Sequence, residues 1–129
     1  MSINDYPRAL LFGRWYRNEI DANGLESIEY AQLSSDGSFE FTFISLGATG
    51  EIVEQITELG DWGLVGDIHF TMTKNELIDE EMYAADLNND DNYQAYKVLA
   101  LDHQLFHYQH RVTKEEYIMR RVVDNHGHC

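Results

Sequence analysis

One cysteine, Cys129, and one proline, Pro7, are all that the 129 residues contain of either type. A lone thiol permits no internal disulfide, which excludes the disulfide-stapled secreted folds and agrees with a reducing compartment. Base is scarce as well, with 9 Lys and Arg against 23 Asp and Glu and a formal net charge of −14. Phosphate binding needs clustered Lys and Arg, so neither nucleic acid nor an anionic membrane surface is an expected partner. No stretch approaches the roughly 18 apolar residues of a membrane span, and the opening MSINDYP has neither the basic nor the apolar region of a secretory signal. The expected location is therefore cytoplasmic. No nucleophile elbow, P-loop or dinucleotide-binding glycine motif occurs.

What is present is aromatic. Apolar residues make up 43%, including eight Tyr, six Phe and two Trp, too many for a disordered chain. The length suits one domain, residues 1–129, able to bury roughly two-thirds of its unfolded surface. Acid is unevenly spread: between residues 51 and 96 the only base is Lys74, whereas Lys97, Arg111, Lys114, Arg120 and Arg121 gather toward the end. This describes either a solvated acidic face or a dipolar surface that attracts cations.

Glycine and asparagine punctuate the chain into short strands. Asp5 caps a short helix with Pro7 in its first turn, and Gly13 stops it. Strands are expected at 15–20, 26–33, 38–46, 51–59, 62–73, 93–101, 104–111 and 115–122, with Asp36-Gly37 as a tight-turn signal and a break or bulge at Gly66-Asp67. In the segment near 75–91, Leu77, Ile78, Met82 and Ala85 fall at helical spacing, which predicts a helical or loop insertion that serves as a lid or a plain connector. Seven to nine antiparallel strands joined by hairpins make an all-β, up-and-down barrel of about eight strands.

Period-two alternation places Phe39, Phe41 and Phe43 on one wall, with Glu40 and Thr42 outside. Continued through 62–73, it groups Phe70 and Met72 with Trp62 and Leu64, opposite Asp67, His69 and Thr71. The candidate ligand-contacting wall is Phe39, Phe41, Phe43, Phe70, Met72, Tyr96, Phe106 and Tyr108. A barrel of this size is either filled by such rings or holds one small ligand.

Phe12-Gly13-Arg14-Trp15-Tyr16 contains a G-x-W after a helix-like lead-in, Leu101-Asp102-His103 keeps the Asp of a T-D-Y-type turn, and Arg120 and Arg121 end the last strand. In these features the chain resembles the lipocalins and the wider calycin-like group. The resemblance implies a barrel open at one end that takes a small, mostly apolar molecule. It also implies that Gly13, Trp15 and a closing arginine, Arg120 or Arg121, are structural; strand alternation leaves the choice open, and Arg121, two residues from Met119, is favoured.

Other chemistry is weakly supported. His107 and His110 point to opposite faces of a strand, and His126, His128 and Cys129 make only a loose terminal set, so no metal is expected. Asp86, Asn88 and Asp90 match the odd ligand positions of an EF-hand loop, but Asp91 replaces its Gly and Lys97 its bidentate Glu. An enzymatic reading would rest on Asp67 and His69 as an acid–base pair. The expectation is non-enzymatic binding of a small apolar or amphipathic molecule without a cofactor; the alternative is a protein-interaction module or self-associating structural protein with a filled core. Apolar residues on both faces of 51–59 favour a homodimer.

Overall fold

Tight turns lay the chain out as neighbouring strands. The computed structural model describes residues 6–123. Its strands are β1 (Gly13–Ile20), β2 (Glu26–Leu33), β3 (Ser38–Leu46), β4 (Ile52–Val65), β5 (Ile68–Ile78), β6 (Glu81–Ala84), β7 (Tyr93–Leu101), β8 (Leu105–His110) and β9 (Glu116–Arg121). The order is β4-β3-β2-β1-β9-β8-β7-β5-β6, and β4 also pairs with β5. That pairing closes eight antiparallel strands into a barrel and leaves no free edge along them. β6 stands outside the closed ring: it pairs with β5 through residues 75–78, beyond residues 68–72 that pair with β7.

Strand direction defines two ends. The floor holds the 34–37, 66–67 and 102–104 turns and the 3-10 turn Arg8–Leu11; the mouth holds the β5–β6 overhang and the 85–92 connection. At the floor Arg8 stacks over Phe12 and Trp62, 5.1 and 4.6 Å from their ring centroids. Leu11, Trp15, Leu33, Phe39, Trp62, Val98, Phe106 and Met119 form the buried core there.

Two expectations are corrected. Residues 75–91 form no helical insertion: β5 runs on to Ile78, turns through Asp79 and Glu80 at φ 50° and 67°, and returns as β6, leaving a loop with a 3-10 turn at Asp90–Asn92. Leu77 and Met82 are cross-strand partners in this hairpin. The second correction concerns which side of β5 faces inward. Gly66 and Asp67 form a two-residue turn between the paired Val65 and Ile68, so Leu64 opposes His69 and the parity inverts. His69, Thr71 and Thr73 are buried, while Phe70 is 43% exposed. Phe70 lies over Gly63, where a Cβ would collide with its ring. Asp5, His126, His128 and Cys129 lie outside the described residues.

No helix among the described residues is long and apolar enough to cross a membrane. None of those residues form a cluster of three or more His, Cys, Asp or Glu able to hold a metal.

Candidate functional site

A cavity of about 270 Å³ occupies the barrel above its core. Small-molecule pockets generally span about 300–1,000 Å³, so the space suits a small ligand. Phe41, Phe43, Tyr96, Phe106 and Tyr108, five of the ring positions expected from sequence, line it. Phe39 is buried and stacks on Phe41 at 4.1 Å. Phe70 and Met72 do not reach it, because the inverted parity of β5 puts His69, Thr71 and Thr73 in the wall instead.

The cavity is graded from floor to mouth. Trp15, Ala31, Leu33, Phe106 and Met119 make its lower part apolar. Above them stand Arg17, Glu29, Glu58, Gln94 and, exposed at the rim, Asp91. Arg17 Nε donates to Glu29 at 2.7 Å, Nη1 reaches Glu19 at 3.3 Å, and the guanidinium lies 4.9 Å over Tyr117. Burial lowers the Arg17 pKa, but attraction and hydrogen bonding to Glu29 outweigh it and the net shift is upward. Burial likewise raises Tyr96 and Tyr108, with the Glu29 charge adding to it, so both phenols stay protonated at neutral pH.

Glu58 has the opposite balance. It accepts a hydrogen bond from Thr73 Oγ1 at 3.1 Å, and its direct cross-strand partner on the same face is Glu76. Burial pushes its carboxyl up, the Thr73 bond offsets part of this, and the Glu76 and Glu29 charges push it further. A raised carboxyl favours folding when protonated, so Glu58 increasingly opposes folding as pH rises through its folded-state value.

His69 is buried among rings: Trp62, Tyr96 and Phe106 lie 6.0, 5.8 and 5.5 Å away by centroid. A hydrogen bond with the Gly63 backbone engages one ring nitrogen, and Nδ1 has no partner. Burial lowers its pKa to about 4 against the Gly63 bond, which keeps the ring neutral and Nδ1 an acceptor. Asp67 is not its partner; that residue sits in the β4–β5 turn, its carbonyl accepting from Val98 N at 2.7 Å. The acid–base pair on which an enzymatic reading would rest is therefore not formed.

Below the cavity, the residues that carried the resemblance meet. Trp15 is fully buried, and its Nε1 donates to Leu11 O at 3.0 Å. Arg121 lies 4.2 Å over the indole and donates to Leu10 O, Phe12 O and His103 O at 2.5, 2.6 and 2.5 Å. Asp102 Oδ1 holds the intervening turn through Gln104 N and Leu105 N, both at 2.8 Å. Gly13 has φ 118°, and a Cβ there would lie 2.7 Å from Arg121 Nη1, so backbone and neighbour both require glycine. Arg120 is exposed.

An eight-stranded antiparallel barrel, hollow above a floor tied by glycine, tryptophan and arginine, is a lipocalin-like barrel. Among solved structures the chain is similar to a lipocalin-like protein from Bacteroides uniformis, at 20% identity and a TM-score of 0.51, covering 88% of this chain and 99% of that one. At that identity the likeness shows the fold alone. No protein-family model and no curated protein matches the chain.

Proposed function

We propose that this protein binds a small amphipathic molecule inside its barrel, without cofactor or chemistry of its own, in the cytoplasm. The observation that carries the reading is the 270 Å³ cavity, ring-lined and apolar below, polar above. A filled core would leave no such space, and a cavity graded in this way suits a ligand with one apolar and one polar end. The lone cysteine supports the reducing location.

The neutral probe N-phenyl-1-naphthylamine tests it. Saturable binding of one probe per chain, reversed by fatty or aromatic compounds, is the expected result; no saturable signal on the folded protein would remove the container reading.

Self-association is a second reading, favoured by the outer face of β1, β2 and β9. Tyr16, Tyr30 and Ile118 are exposed there, and Tyr16 and Tyr30 are cross-strand partners. Light scattering well above micromolar concentration should give the mass of two chains. A single-chain mass would eliminate this reading.

A further inference from the structure

We propose that the cavity's ligand is a small organic cation, with an ammonium group at Glu58, an apolar body along the rings, and a hydrogen-bond donor at its far end for His69. The proposal rests on the container reading above and specifies what is contained.

Glu58 supplies the first argument. It lines the cavity, its hydrogen-bond partner is one threonine hydroxyl, and the charges acting on it are Glu76 and Glu29, both acids. Like charges directly opposed across a strand pair destabilise a sheet, and a desolvated carboxylate costs more when no cation faces it. Among the described residues Arg17 is the only Lys or Arg in the cavity wall, and Glu29 and Glu19 already hold it. An incoming anion would thus meet an acid and no free base, whereas an ammonium would relieve the Glu58–Glu76 opposition. Tyr96, Tyr108, Phe41 and Phe43 turn the wall into a ring-lined space in which a cation is attracted to aromatic faces. Asp91 at the rim and the charge of −14 favour the approach of the same sign.

The second argument is independent of acidity. His69, 3% exposed and part of the same wall, leaves Nδ1 without a hydrogen-bond partner. Buried polar atoms are rarely left so, and the free nitrogen of a neutral imidazole accepts. His69 lies toward the floor and Thr73, which bonds Glu58, toward the mouth; four residues of strand separate them by about 13 Å. Ammonium and donor therefore belong at opposite ends of an elongated molecule.

Calorimetric titration with three probes tests this: tyramine, 3-(4-hydroxyphenyl)propionate, which replaces the ammonium by a carboxylate, and phenethylamine, which lacks the hydroxyl. Tyramine should bind about tenfold or more tightly than the propionate, a difference of about 1.4 kcal/mol, and more tightly than phenethylamine. Glu58→Gln, relieved of the like-charge pair, should melt no lower than wild type and lose the preference for tyramine over the propionate. If the wild type binds the propionate as well as tyramine while retaining the naphthylamine, the cation proposal is overturned and the container reading stands. Equal binding of phenethylamine and tyramine overturns the part given to His69. Loss of naphthylamine and all three probes together overturns both readings.

Discussion

Trp15→Ala should lower stability by about 3–5 kcal/mol, the range for truncating a large buried ring. The indole is fully buried, donates to Leu11 O, and supports Phe106 on one side and the Arg121 guanidinium on the other. Against a total of about 5–15 kcal/mol for a domain, this is a large share. Arg121→Ala should cost about 2–4 kcal/mol, because three backbone carbonyls and a ring face lose one shared partner. Arg120→Ala, at an exposed position, should cost less than about 0.5 kcal/mol. Urea denaturation of the three variants checks the ranking. Equal losses at Arg120 and Arg121 would show that the floor is not tied in this way.

The second large effect is one of pH. The His69 pKa falls from 6.5 to about 4 on folding, so the folded state resists a proton that the unfolded chain accepts. For a depressed pKa the contribution is fully present above the unfolded value and is lost as pH falls toward the folded one. The window is therefore about pH 6.5 down to 4, and the loss is about 3 kcal/mol at 1.36 kcal/mol per unit. His69→Gln removes this titration. The stability difference between wild type and His69→Gln should shift by about that amount between pH 7 and 4, and the His69 imidazole should titrate near the bottom of the window by NMR. Parallel stability profiles, or a midpoint near 6.5, would contradict a buried neutral ring.

Much of the barrel was legible because its signals are local. Asp36-Gly37 marked a turn whose glycine takes φ 91°, and strands 26–33, 38–46 and 93–101 match β2, β3 and β7. Gly13-x-Trp15 was legible because a positive φ beside a bulky closing arginine admits only glycine. The β5–β6 hairpin was hidden because Asp79 and Glu80 take positive φ without the usual glycine or asparagine, leaving Ile78, Met82 and Ala85, at i, i+4 and i+7, to imitate a helix face. Phe70 and Met72 were assigned to the wrong wall because a two-residue turn at 66–67 inverts parity, which alternation within one run cannot register. The polar half of the cavity was missed altogether. Arg17–Glu29 and Glu58–Glu76 become neighbours only through strand register, and no motif encodes register between strands this far apart.

That the barrel interior is the binding site is tested most directly by titrating N-phenyl-1-naphthylamine into wild type and Ala31→Phe side by side. Ala31 is 5% exposed and lines the cavity, so a phenyl ring there fills space that the probe needs. Wild type should bind one probe per chain, and Ala31→Phe, while still melting cooperatively, should bind at least tenfold more weakly, about 1.4 kcal/mol. Undiminished binding by a folded Ala31→Phe would place the probe outside the barrel and contradict the interior as the site.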